Sequence, residues 1–148
     1  MHTDFISNDS PSLCGRSISY LYRKSGTYFA SEFKKMGISP TQSIILIGIY
    51  RHEGVNQSTL GDIISILPSV ASRVLRELED KGYISKERDE QNRRNYNLYL
   101  TPAGRDIAEQ SMMIQKDYWE MLLDGFTPEE AATLNQLLAR MEYRAYHI

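Results

Sequence analysis

The chain has 148 residues, 41% hydrophobic and 24% charged, with a net charge of −2, which fits one domain with a working core. Its longest apolar run, Ile44 to Tyr50, is broken by Gly48 and falls well short of the roughly 18–20 residues of a membrane span. The single cysteine, Cys14, excludes an intrachain disulfide and any cysteine-based zinc cluster; with Met1 to Asp4 lacking the basic and apolar parts of a signal peptide, this predicts a cytoplasmic protein without a membrane segment.

Residues 1–9 are polar and unpatterned and read as a loose arm. Ser10 and Pro11 make a helix start, and Leu13, Ile18, Leu21, Tyr22, Phe29, Phe33 and Met36 recur at helical spacing up to Gly37, a C-terminal stop. Ser39-Pro40-Thr41-Gln42 is a capping box that opens a second helix to about residue 53, apolar nearly all round and therefore expected at the centre of the fold. Asn56 caps a short helix over about 57–65, with Leu60, Ile63 and Ile64 facing inward. Pro68 opens the next helix, where Val70, Val74, Leu75 and Leu78 make a buried stripe and Gly82 is the stop.

The period then changes from 3.6 to 2. Residues 84–88 and 96–100 alternate as two antiparallel strands, joined by a loop from Asp89 to Asn95 that is longer than a tight hairpin needs. Thr101-Pro102 starts a helix to about Leu123, and Thr127-Pro128-Glu129-Glu130 a last one through Leu134, Leu137, Leu138 and Met141. The predicted architecture is mainly α with a small β-hairpin wing: one domain over 1–148, a winged helix-turn-helix over 38–101, and flanking helices over 10–37 and 102–148. Long terminal helices in so short a chain most economically complete their core against a second copy, which predicts a homodimer.

A helix followed by a turn, a second helix and a hairpin is a nucleic-acid-reading order. The N-terminal residues of the second helix would approach base edges in the major groove of double-stranded DNA. Pro68, Ser69, Val70, Ser72, Arg73 and Arg76 are the candidates there, with Ser69, Ala71 and Ser72 small enough for close approach and Arg73 long enough for a guanine edge or a phosphate. Arg93 and Arg94 at the hairpin tip, flanked by Asn92 and Asn95, suit a flanking minor groove. Between Ser69 and Arg105 eight basic side chains face six acidic ones, so this segment carries +2 and the rest of the chain −4. That asymmetry is modest.

The stretches Ile38-Ser39-Pro40-Thr41-Gln42, Leu78-Glu79-Asp80-Lys81-Gly82-Tyr83-Ile84, Arg93-Arg94 and Leu100-Thr101-Pro102-Ala103-Gly104 resemble, in joint order, the MarR family of transcriptional regulators. The resemblance implies a homodimeric winged helix-turn-helix protein. It implies binding to pseudo-palindromic operators, usually as a repressor, terminal helices as the dimer interface, and release by small aromatic or phenolic ligands or by oxidants. The family's Asp-x-Arg pair in the wing is here Asn92 and Arg94, which removes charge assistance from the bond that steadies the arginine and predicts a less rigid wing.

Two sensing features are legible. Cys14 lies in the first turns of the first helix, where the helix dipole favours a reactive sulfur, with Tyr20, Tyr22 and Tyr28 as hydroxyl partners; a lone cysteine is also an ordinary core residue. Arg16, Tyr20 and Arg23 share one face of that helix and offer cations and a ring to an anionic aromatic effector, and Arg23 matches a basic position of the site that related proteins use for salicylate-like anions. His2, His52 and His147 have no metal-ligand spacing, and no phosphate-cradling loop, zinc motif or nucleophile elbow occurs, so no cofactor, metal or catalytic set is predicted. The alternative to DNA binding is a winged-helix module whose exposed helix and wing bind a protein.

Overall fold

The computed structural model describes residues 11–148; the expected arm over 1–9 and the Ser10 cap lie outside it. Six helices and one hairpin follow in order: α1 (Pro11–Lys35), α2 (Pro40–Arg51), α3 (Gln57–Ile63), α4 (Pro68–Asp80), β1 (Ile84–Arg88), β2 (Tyr96–Leu100), α5 (Pro102–Leu122) and α6 (Pro128–Tyr146). The chain divides into a first compact unit ending at Ile114 and a second, Gln115–Ile148. No helix among the described residues is long and apolar enough to cross a membrane.

Local signals set most boundaries. Ser39 and Gln42 form the reciprocal capping box, Oγ accepting from the Gln42 amide and Oε1 from the Ser39 amide, both at 3.1 Å. Thr127 and Glu130 repeat it at the start of α6. Asn56 Oδ1 accepts from the Thr59 amide at 2.9 Å. Gly82, at φ +73, ends α4 in a Schellman arrangement: its amide reaches the Glu79 carbonyl and the Tyr83 amide the Leu78 carbonyl, each at 2.9 Å.

The core of the first unit is built where α2, α3, α4, the hairpin and the start of α5 meet. Ile45, Leu46, Ile49, Leu60, Val74, Leu75, Leu78, Ile84, Leu98 and Ala108 are buried there. Burying each of the branched side chains among them stabilises the fold by about 1.5–3 kcal/mol before entropy is charged against it.

Three expectations need correction. Ile44 is 44% exposed, so α2 has an outer edge as well as a buried face. α3 stops at Ile63 because Ser65 turns left-handed at φ 54, and the Ile66 amide folds back to the Gly61 carbonyl at 2.9 Å. Ile63 is 47% exposed rather than inward: at 100° per residue, Ile64 lies closer to the direction of Leu60 and takes the core position.

β1 and β2 pair antiparallel from Ile84↔Leu100 to Arg88↔Tyr96. A third segment bonded to the hairpin was not legible in the sequence: Gly54 N–H donates to the Leu98 carbonyl, Leu98 N–H to the Val55 carbonyl, and Asn56 bridges Asn97. Three residues are too few to show alternation. The segment fastens the N-terminus of α3 to the wing.

Ser43 is fully buried in α2, and its hydroxyl has no hydrogen-bond partner among the described residues. Ser43→Ala is therefore expected to raise stability by about 1 kcal/mol, seen as a higher urea midpoint at unchanged slope. A lower midpoint would show that the hydroxyl is satisfied.

Among the described residues of α1, Phe33 near the C-terminal end is 1% exposed and stacks on Phe29 at 5.6 Å, and Ser25 is buried, whereas Ile18, Leu21 and Tyr22 stand out. In the second unit α6 buries no residue, and Leu134, Leu137, Leu138 and Met141 form an exposed stripe at helical spacing.

Candidate nucleic-acid interface

Helix α4 begins at Pro68, whose missing N–H costs nothing in the first turn. Its N-cap is Leu67, which makes no side-chain cap and is 70% exposed. Forgoing a polar cap there costs about 1 kcal/mol, and no local pattern in the sequence singles this leucine out. Pro68, Ser69, Ser72, Arg73 and Arg76 are exposed. Val70 is half-buried and packs against the core.

Ala71 is 3% exposed, which overturns its expected place at the approach surface. It stands three, four and seven residues before Val74, Leu75 and Leu78, so it belongs to their stripe. Ser72 is held rather than loose: Gln57 Nε2, on α3, donates to its Oγ at 2.5 Å.

At the wing tip Asn92, Arg93 and Arg94 are all exposed. The Asn92 side chain accepts from the backbone amide of Arg94 at 3.3 Å, and its carbonyl accepts from the Asn95 amide at 2.8 Å. Asn92 thus shapes the turn, as asparagine does in Asx turns. Asp89 does the same at the loop's start, accepting from the Gln91 amide at 2.9 Å.

Helix α4 and the wing share a cleft of about 800 Å³, lined among others by Gln57, Pro68, Ser72, Arg76, Lys86 and Arg94. Ser69, Arg73, Asn92 and Arg93 are not among its lining residues. Glu79 also lines it and pairs with Lys86 at 2.9 Å, tying β1 to α4.

Two hydrogen-bonded devices fix where α4 and the wing stand. Gln42, 5% exposed, extends its capping-box role: Nε2 donates to Glu77 at 2.9 Å, and Oε1 accepts from Lys81 Nζ at 3.1 Å. Lys81 Nζ also reaches the Gly37 carbonyl at 2.6 Å, so the α1–α2 junction is bonded to the last turn of α4. At the other end of the module Thr101 Oγ1 donates to the Gly82 carbonyl at 2.6 Å and accepts from the Gly104 amide at 3.1 Å. A Cβ on Gly104 would lie 1.8 Å from the Tyr83 carbonyl oxygen. The Thr-Pro-Ala-Gly run is therefore a close backbone seat of α5 on the turn before β1.

Arg16, Tyr20 and Arg23 stand exposed on α1, with Lys24 Nζ 5.7 Å from the Tyr20 ring centroid. Cys14 is exposed too. At about 1.5 Å of rise per residue Tyr28 lies some 20 Å along the same helix from it. Among the described residues no three His, Cys, Asp or Glu side chains are placed to hold a metal ion.

Comparison with known proteins agrees with this geometry. The MarR family model matches residues 38–96. The chain is 31% identical over 126 residues to the uncharacterized HTH-type transcriptional regulator YybA of Bacillus subtilis, covering 85% of this chain and 84% of that protein. A MarR transcriptional regulator from Methanosarcina mazei superposes with a TM-score of 0.83 at 30% identity, over 93% of this chain and 99% of the other. A putative MarR family regulator from Listeria monocytogenes, solved with a 26mer DNA, superposes with a TM-score of 0.85 at 27% identity, over 89% and 88% of the two chains. The chain belongs to the MarR family of winged helix-turn-helix transcriptional regulators.

Proposed function

We propose that this protein is a cytoplasmic homodimer that binds a pseudo-palindromic operator as a repressor and is released by a small aromatic or phenolic anion. The observation that carries DNA binding is that Arg94 of the wing lines one cleft with Pro68, Ser72 and Arg76 of α4, so helix and wing offer donors to one duplex. Arg73 and Arg93, exposed on the same two elements, add to the positive surface. The DNA-bound Listeria relative supports this use of the fold.

Support for the dimer comes from the exposed apolar side chains of the terminal helices: Ile18 and Leu21 on α1, and Leu134, Leu137, Leu138 and Met141 on α6. A second copy is the most economical cover for such stripes. The terminal segments 10–37 and 102–148 would then set the spacing of two reading helices on the operator. Arg16, Tyr20 and Arg23, together on α1, are the residues assigned to the effector.

Fluorescence anisotropy on operator fragments selected from the source genome tests the proposal. Affinity is expected to fall steeply with salt, because neutralising phosphates releases counterions. Arg73→Ala and Arg94→Ala should each weaken binding roughly 10- to 100-fold, and wherever the arginine neutralises a phosphate its removal should lower the log–log salt slope by about 1. Salicylate-like anions should release the complex, less so in Arg23→Ala, and light scattering should give a dimer mass. Salt-independent binding, or a stable monomer, would refute the reading and favour a protein-binding module.

A further inference from the structure

We propose that Gln57 is a specificity-determining positioning residue: its amide fixes the polarity of the Ser72 hydroxyl, so that the α4 N-terminal region selects a base presenting a major-groove acceptor. This rests on the reading of α4 as the base-contacting helix.

A serine hydroxyl has one O–H donor and two acceptor lone pairs, and by itself it rotates to suit either kind of partner. Here Gln57 Nε2 donates to Ser72 Oγ at 2.5 Å, across the turn between α3 and α4. Ser72 makes no hydrogen bond as donor to any described residue, and it is exposed where the cleft opens. With Gln57 Nε2 occupying one lone pair from within the same cleft, the hydroxyl keeps its O–H for a further partner, and accepting one bond strengthens the next one it donates.

An outward donor matches purine N7, guanine O6 or thymine O4. It opposes the amino group of cytosine N4. The backbone leading into Gln57 is held in place: Asn56 caps α3 one residue earlier, and the 54–56 segment is bonded to β2. Gln57 therefore acts on DNA through Ser72.

Gln57→Glu reverses the inner partner. A carboxylate only accepts, so it would draw the Ser72 O–H inward and leave lone pairs facing the groove. Gln57→Met removes the partner and frees the hydroxyl to rotate. The full-length protein is assayed against operators carrying each of the four bases, and 7-deazapurines, at every half-site position.

Wild type is expected to lose roughly tenfold in affinity when the acceptor opposite Ser72 is removed. Ser72→Ala should be indifferent to that change, which identifies the position. At that position Gln57→Glu should move the preference toward cytosine, and Gln57→Met should flatten it, with other positions unchanged. A uniform loss across all bases in both Gln57 variants would overturn the positioning role. So would a Ser72→Ala profile parallel to wild type. In either case salt-dependent operator binding would leave the proposed function standing, whereas wild type without sequence preference would refute that function itself.

Discussion

Gly104→Ala is expected to destabilise the protein by about 3 kcal/mol, at the upper end of what forced overpacking costs. The added methyl would lie 1.8 Å from the Tyr83 carbonyl oxygen and 2.7 Å from the carbonyl carbon, and neither is a flexible side-chain end that can swing aside. Relief requires α5 to lift from the turn before β1, which breaks the Thr101–Gly82 and Thr101–Tyr83 bonds. For a chain of this length the thermal midpoint should drop by roughly 6–12 °C. Gly26→Ala is the control, because a Cβ there meets nothing within 4 Å and the helix interior gains from alanine. If the two variants melt together, the close seat of α5 is refuted.

Gln42→Leu is the second large effect. Leucine fills a similar volume, so the change isolates the hydrogen bonds from cavity formation. It removes the partner of the Ser39 amide, of Glu77 and of Lys81 Nζ together. Bonds to charged groups are worth about 1.5–3 kcal/mol each. Lys81 is exposed and turns to water, so the expected loss is about 2–3 kcal/mol in all. Because Gln42 joins the α1–α2 junction to the last turn of α4, operator affinity should fall by more than the unfolded fraction accounts for. Gln42→Glu should fail comparably: it keeps the acceptors but brings a second carboxylate against Glu77. Full stability and affinity in Gln42→Leu would show that the network is incidental.

Much of the wing assignment came from punctuation and period. Pro68 and Gly82 bracket α4 because one suits a first turn and the other a left-handed stop, and residues 84–88 and 96–100 alternate as strands do. The exposure of Arg73, Arg76, Arg93 and Arg94 followed from the same local rules. Asn92 was legible as a departure from the family's aspartate, but its use was not. It bonds the Arg94 backbone amide, which depends on how the loop folds and not on which residues flank it.

The sequence by itself determined the order of the helices, most of their ends and the two strands of the hairpin, and its motif stretches carried the resemblance to the family. These follow from capping, glycine conformation and periodicity, all of which act within a few residues. Only the tertiary structure decided that Ile64 rather than Ile63 faces inward, that Ala71 is core, and that residues 54–56 bond to β2. It alone paired Gln57 with Ser72, 15 residues on, and Gln42 with Glu77 and Lys81, 35 and 39 residues on. Those partners are chosen by how α2, α3 and α4 pack, and one polar side chain carries no local sign of the donor or acceptor it will meet.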